Sequence, residues 1–265
     1  MWQHLYFEGR FKFNYKGQEL VMSNFNSSFE TSIFWTGTFV DEQVSLELWH
    51  ALSEKATTIV DIGANTGIYS LVASKTNKEA AVIAFEPIPR IFNRLRLNVE
   101  ANALNVVMVE GAASDQTGEA VIYDLPVDHH YHASLVKDEV IHHENVSELI
   151  IQTTRFDDYR KANSLKDVDL VKIDVEGFEL PVINGMHDTI SECTPTFLIE
   201  LKNGDRARDI QKVFDELGYS YYNIDENNGV IRTDVLGAST KWNYLLLSPR
   251  HRDFKLAPFL AKTSS

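Results

Sequence analysis

From Thr57 onward the chain alternates two patterns of apolar spacing. "TTIVDIG", "AAVIAFEP", "NVVMVEGAAS", "DLVKIDVEG" and "PTFLIEL" are short, nearly unbroken apolar runs. Such runs are expected of strands covered on both faces. Between them "GIYSLVASK" and "PRIFNRLRLNVEANA" repeat apolar residues at helical spacing, and Pro89 suits the first turn of the second helix. "DRARDIQKVFDELG" predicts a helix with Asp205 at its N-cap, Ile210, Val213, Phe214 and Leu217 on one face, and Gly218 at its end. "YSYYNID" and "WNYLLLS" follow as two closing strands, with a Gly/Asn/Thr-rich connection and no clear helix between them, so they are expected to pair antiparallel. Strands alternating with helices predict an α/β fold with a parallel sheet wound on both sides.

Two segments depart from this alternation. At the front, "FEGRFKFNYKGQELVM" alternates aromatic and polar side chains around a turn signal at Lys16-Gly17, which predicts a β-hairpin. "DEQVSLELWHALSEK" then places Val44, Leu48, Ala51 and Leu52 on one helical stripe, with Asp41 as the expected N-cap. Residues 1–55 therefore read as a small cover ahead of a main domain at 56–250, with 251–265 as a tail. The second departure is Glu119 to Phe156. "EAVIYD" and "ELIIQTTRF" read as two strands framing the polar stretch "VDHHYHASLVKDEVIHHENV", an edge hairpin with a long insert of the kind that often carries a binding loop.

Composition narrows the partners. The formal net charge is −13, whereas a nucleic-acid surface needs a basic footprint to displace phosphate counterions. Neither nucleic acid nor an anionic membrane is expected, and no apolar run reaches the length of a membrane span. The single cysteine, Cys193, precludes an intrachain disulfide and reads as a small core residue. The N-terminus lacks a cationic start followed by an apolar run, so no signal peptide is expected, and sequons at Asn26 and Asn145 carry no weight without one. A cytoplasmic protein is the expectation.

The candidate chemistry begins in "IVDIGANTGIYS". Gly63-x-Asn65-x-Gly67 follows a strand and opens a helix, as a nucleotide-binding turn does. Asparagine tolerates positive φ, so Asn65 can stand where glycine is common. No third glycine opens the helix, and Asp61 places a carboxylate at the strand end, which suits a cationic group better than pyrophosphate. Glu86 ends the second strand, 86 − 67 = 19 residues beyond Gly67. An acid at that position is the usual partner of ribose hydroxyls. An adenosine with free hydroxyls joined to a less anionic group describes S-adenosylmethionine, which carries a cationic sulfonium and a zwitterionic amino-acid tail. A nicotinamide-dependent oxidoreductase would want the missing glycine, and a non-catalytic cofactor-binding protein on the same fold is the other alternative.

In "VKIDVEGFE", Lys172, Asp174 and Glu176 alternate near the carboxyl end of the fourth strand, where ligands of open α/β sheets bind. A carboxylate there can orient an acceptor hydroxyl and take its proton. Asp174 is the favoured candidate, Glu176 stands evenly between that role and capping the following helix, and Glu200 at the end of the fifth strand is weaker. His129, His130, His132, His142 and His143 all fall in the insert. Adjacent histidines in a polar loop are more often solvated surface than metal ligands, and a share in acceptor binding is favoured over metal. Arg90, Arg94 and Arg96 read as the solvated face of the second helix.

"VDIGANTGIYSL", "AFEPIPRIFNRLRLNVEAN", "VKIDVEGFELPVINGM" and "PTFLIEL", in this order and spacing, resemble the FkbM-type methyltransferases, and "SIFWTGTFVDEQVSLELW" is similar to bacterial members. The resemblance runs from about Ser32 to Leu247. It implies a class I, Rossmann-like methyltransferase fold: a seven-stranded, mostly parallel sheet with an antiparallel last strand, binding S-adenosylmethionine. It implies O-methylation of small hydroxylated acceptors, sugars or natural products, with Asp61, Gly63, Asn65, Gly67 and Glu86 at the cofactor and Asp174 and Glu176 beside the reaction centre. Many methyltransferases carry an Asp just after the third strand. Here the stretch is "EGAASD", which leaves the adenine contact to Asp115 or to backbone groups. Acceptor identity, methylated position and oligomeric state have no motif that reports them.

Overall fold

The computed structural model describes residues 5–125, 132–134, 147–202, 204–237 and 239–261. The front hairpin forms as expected. β1 (Glu8–Tyr15) pairs antiparallel with β2 (Gln18–Phe25) across Lys16 and Gly17, both at positive φ, which matches the twist of a tight hairpin. An unforeseen helix, α1 (Ser28–Thr36), follows, with Ser27 at its N-cap. A 3-10 turn, Val40–Glu42, then leads into α2 (Gln43–Ser53). The expected cap at Asp41 is not what the structure uses. Glu226, from the far end of the chain, accepts from the Val44 amide at 2.7 Å, from the Ser45 amide at 3.1 Å and from the Ser45 hydroxyl. A carboxylate at a helix N-terminus satisfies orphan donors and opposes the helix dipole, whatever its distance in sequence.

The alternating region follows the predicted order: β3 (Thr58–Ile62), α3 (Ile68–Thr76), β4 (Ala81–Glu86), α4 (Pro89–Ala101) and β5 (Val106–Glu110). Pro89 stands in the first turn of α4. The expected third strand is broken at Gly111, and its second half is a separate strand, β6 (Ala112–Ser114). β6 joins a small sheet with β7 (Gly118–Leu125), β8 (His132–Ser134) and β9 (Ser147–Arg155), in the order β6-β9-β7-β8. β7 and β9 are the predicted edge hairpin. His129, His130, His142 and His143 lie outside the described residues, and His132 is described by its backbone alone.

The chain continues through α5 (Phe156–Ala162), β10 (Leu170–Ile173), α6 (Glu179–Gly185), α7 (His187–Cys193), β11 (Thr196–Glu200) and α8 (Gly204–Phe214). Asp205 falls inside α8 rather than ahead of it, and Gly218 ends the following turn in the left-handed conformation as expected. β12 (Ser220–Asp225), β13 (Gly229–Thr233) and β14 (Asn243–Leu247) complete the fold. The main sheet runs β13-β12-β14-β11-β10-β3-β4-β5. β14 is antiparallel to both β11 and β12, so the two predicted closing strands do pair antiparallel. These seven strands match the expected sheet. β13 adds an eighth at the edge, formed within the connection that reads from its composition as a loop.

Helices cover both faces. One core packs Trp49, Leu71, Val72, Leu95 and Leu245, joining α2, α3 and α4 to the sheet. The other packs Val171, Ile183, Ile190, Phe197 and Phe214 under α6, α7 and α8, and takes in buried Cys193. Arg90 is not solvated as expected. It clamps buried Asp124 of β7 through two donors, which ties α4 to the edge hairpin. Arg94 lies 4.6 Å from the Phe25 ring centroid, and only Arg96 stands exposed, paired with Glu100. Among the described residues no helix is long and apolar enough to cross a membrane.

Removing the remote cap tests the link between the front segment and the sheet edge. Glu226→Ala is expected to lower unfolding free energy by about 1–2 kcal/mol, seen as a lower urea midpoint at unchanged slope. An unaltered midpoint would show that solvent caps α2 equally well.

Candidate active site

The carboxyl ends of β3, β4 and β10 open onto a crevice that is open to solvent at its mouth. Its floor is the loop after β3. Gly63 has φ +79°, Asn65 φ +51° and Gly67 φ +98°. The first glycine is also required sterically, since a Cβ there would stand 1.9 Å from the Asp174 carbonyl oxygen. Gly67 starts α3 and packs against α4, where a Cβ would meet Leu95 Cδ1 at 2.5 Å. Gly63 and Asn65 line the crevice, whereas Gly67 supports it from behind.

Glu86 stands at the end of β4 on one side of the crevice. Its two carboxylate oxygens accept from the Asn65 amide at 3.0 Å and the Ile88 amide at 2.9 Å. The loop and the acid are therefore built as one piece. Burial pushes the Glu86 carboxyl up to about 7, against the pull of those two amides and of Arg90. Ile88, Ile91 and Ile122 form an apolar wall beside it. Asp115, by contrast, lies off the crevice, where Ser114 Oγ donates to it at 3.1 Å; the crevice wall at that level is Gly111, Ala112 and Ala113.

Asp61 does not line the crevice. It is fully buried beneath the loop, with one oxygen accepting from Ser70 Oγ at 2.6 Å and the other, Oδ1, without a hydrogen-bond partner. Burial raises its pKa, against the nearby Lys172. Lys172 is buried as well. Its ammonium donates to Asp174 at 3.0 Å and lies 4.4 Å from the Tyr69 ring centroid. The Tyr69 hydroxyl donates to Glu42, and burial lifts Glu42 to about 7 against the pull of Lys172. Burial alone would raise Asp174, but Lys172, with help from Lys202, outweighs it and holds Asp174 below its ordinary value.

Asp174, Glu176 and Glu200 bring ligand-type oxygens within 4.8 Å of one another, so the sequence-predicted acids converge. The Lys202 ammonium sits among them, bonded to Glu176 and 3.2 Å from Glu200. Burial and the negative Asp174 push Glu200 up to about 9, so it is protonated at neutral pH. Glu176 holds a positive φ of 48° at the turn before α6, a conformation costly for a non-glycine residue. Lys202, Tyr69 and Glu42 escape sequence reading. Tyr69 and Glu42 fall inside quoted segments but at positions with no evident role there, Lys202 falls just beyond one, and only the fold brings the three to Asp174 and Lys172.

The crevice suits S-adenosylmethionine on three observations. The isoleucine wall can take a flat base, each Glu86 oxygen keeps a lone pair for a ribose diol, and the buried Asn65 Oδ1 lacks a partner and suits a cationic amine. Sheet order, loop and crevice together define a Rossmann-like methyltransferase. The chain belongs to the FkbM methyltransferase family, whose domain model ("Methyltransferase FkbM domain") matches residues 61–221. As a methyltransferase of this kind it uses S-adenosylmethionine.

Among curated relatives, the hexuronic acid methyltransferase AglP of Haloferax volcanii is 26% identical over 175 residues, 66% of this chain and 68% of that protein. Methyltransferase 1 of Beauveria bassiana is 26% identical over 166 residues, 56% of this chain and 67% of that protein. Among solved structures, an FkbM methyltransferase from Methylobacillus flagellatus KT is similar with a TM-score of 0.47 and 15% identity, over 72% of this chain and 43% of that one.

The contact between Gly63 and the Asp174 carbonyl predicts that Gly63→Ala cannot be absorbed locally. Positive φ and a backbone clash together are expected to cost about 3 kcal/mol or more, read as the loss in chemical denaturation. A loss under about 1 kcal/mol would mean that β3 and β10 separate easily.

Proposed function

We propose that the protein is an O-methyltransferase acting on a hydroxyl of a small acceptor, with a sugar or glycan as first choice and a natural product as second. The observation that carries this reading is the ionised Asp174, fixed by buried Lys172 at the crevice's inner end. The similarity to a protein named a hexuronic acid methyltransferase supports a sugar. When bound, S-adenosylmethionine supplies an electrophilic methyl group. Glu86 holds the ribose hydroxyls, and Gly63 and Asn65 cradle the amino-acid end, with Asp61 beneath them. Asp115 contributes from outside the crevice at most, leaving the base to the backbone of residues 111–113. Asp174 accepts the proton that the acceptor hydroxyl loses as its oxygen gains the methyl group. Glu176 helps to orient that hydroxyl. Residues 56–250 form the catalytic domain, 1–55 its cover and 251–265 its tail, in a cytoplasmic setting.

Two measurements test these assignments. Glu86 titrates near 7 in the free protein, and a carboxylate accepts from a diol better than a carboxylic acid does. Affinity for S-adenosylhomocysteine by calorimetry should therefore fall as pH drops through 7, about tenfold between pH 8 and pH 6. Glu86→Gln should bind more weakly and lose that dependence; a native profile as flat as the variant's would remove Glu86 from the ribose.

Asp174→Asn should leave cofactor affinity within about threefold and reduce methyl transfer to a hydroxylated acceptor panel by about 10²–10⁴. Undiminished turnover would rule out Asp174 as the proton acceptor.

A further inference from the structure

Beyond Glu176 the functional surface continues across the carboxyl end of β11 toward the start of β14. Trp242 immediately precedes β14, and its carbonyl accepts from the Leu201 amide at 2.8 Å. Its backbone is therefore anchored next to the end of β11, and the residue is 50% exposed. The Lys202 ammonium lies 5.4 Å from the indole centroid. That same ammonium reaches inward to Glu176 and Glu200, which stand against Asp174. Moving outward from Asp174, the surface presents carboxyl groups, then an ammonium, then a flat apolar ring.

A lone exposed indole is ordinary surface. This one is continuous with a dense row of donors and acceptors that ends at the proton-accepting carboxylate. The combination matches one kind of molecule. A pyranose has a face of C–H bonds polarised by neighbouring oxygens, which packs on an electron-rich ring, and a rim of vicinal hydroxyls that need paired donors and acceptors. Charge agrees. Asp174 and Glu176 are balanced by Lys172 and Lys202, and Glu200 is neutral at pH 7, so the row is polar without a strong net charge. It offers a hydroxylated ring many hydrogen bonds and offers a polyanion or a polycation little.

We propose that Trp242, Lys202 and Glu200 form the acceptor platform, seating a pyranose with its C–H face on the indole and its hydroxyls on Lys202, Glu200 and Glu176. The proposal rests on the reading of Asp174 as the group that faces the acceptor hydroxyl, and it gives that reading a direction. The acceptor enters from the β11–β14 side, opposite Glu86.

The test uses the full chain saturated with S-adenosylhomocysteine and a set of methyl pyranosides, neutral hexosides and hexuronosides, with binding followed by saturation-transfer NMR on the sugar ring protons. At least one pyranoside should bind. Trp242→Ala should weaken it about tenfold or more and Trp242→Phe only about twofold, since phenyl retains a stacking face. Lys202→Met should weaken it about threefold or more. Affinity for S-adenosylhomocysteine should stay unchanged in all three variants, which shows that they are folded. If S-adenosylhomocysteine binds but no pyranoside does, or if the pyranoside binds Trp242→Ala as tightly as the native chain, the platform is wrong and the methyltransferase reading stands. If S-adenosylhomocysteine itself fails to bind, that reading falls and the platform with it.

Discussion

The site is organised around one buried cation. Lys172 sits on a central strand with its ammonium removed from water, against the Tyr69 ring and bonded to Asp174. A buried ammonium is tolerated only when its surroundings are negative enough to replace the lost hydration. Here Asp174, Glu42 and Asp61 act together, and they raise the Lys172 pKa despite its burial. The three acids come from different places: the end of β10, the turn before α2 and the end of β3. Each must be correctly placed for the others to be stable. The ammonium thus fixes the mutual position of the front segment, the loop after β3 and the Asp174 carboxylate.

The front segment enters the site by the same logic. Glu30 of α1 is fully buried, yet it accepts from Thr66 Oγ1 at 2.7 Å inside the cofactor loop. Asn98 of α4 donates to the Thr66 carbonyl at 2.8 Å and accepts from the Ser23 amide of β2 at 2.8 Å. Trp49 of α2 donates to the Tyr69 carbonyl at 2.9 Å. A loop with three left-handed residues in five is conformationally costly, and strain of this kind persists only where its surroundings over-determine it. Hairpin, α1 and α2 supply part of that over-determination from outside the alternating fold.

How far sequence reading reaches follows from where the information lies. The order of strands and helices is visible because parallel strands covered on both faces must be apolar throughout, and the helices between them must show one apolar stripe. The Gly63, Asn65 and Gly67 positions are visible because few residues accept positive φ. What escapes is long-range partnership. Glu226 caps a helix some 180 positions away, Arg90 meets an aspartate from the edge hairpin, and Glu30 reaches the cofactor loop. An acid or an arginine in an amphipathic pattern looks the same whether it ends in water or in a buried pair. β13 escapes for a different reason, since a short edge strand in a Gly/Asn-rich stretch has neither the length nor the double-sided apolarity that marks the central ones.

The acids of the crevice show why position outweighs residue type. Glu86, Asp174 and Glu200 carry the same functional group at the carboxyl ends of the parallel strands β4, β10 and β11, Glu86 buried and the other two partly exposed. Burial by itself raises the pKa of each. Glu86 is held near neutrality because two backbone amides partly replace its hydration. Asp174 is ionised because a full cation touches it. Glu200, with Asp174 already negative beside it, takes the proton instead. Two neighbouring carboxyls cannot both ionise cheaply, so ionisation of the first imposes neutrality on the second. Lys172 therefore does more than neutralise Asp174. By fixing where the negative charge resides, it favours the protonated form of Glu200 and the ionised form of Asp174, which sets a hydrogen-bond donor beside an acceptor at the crevice.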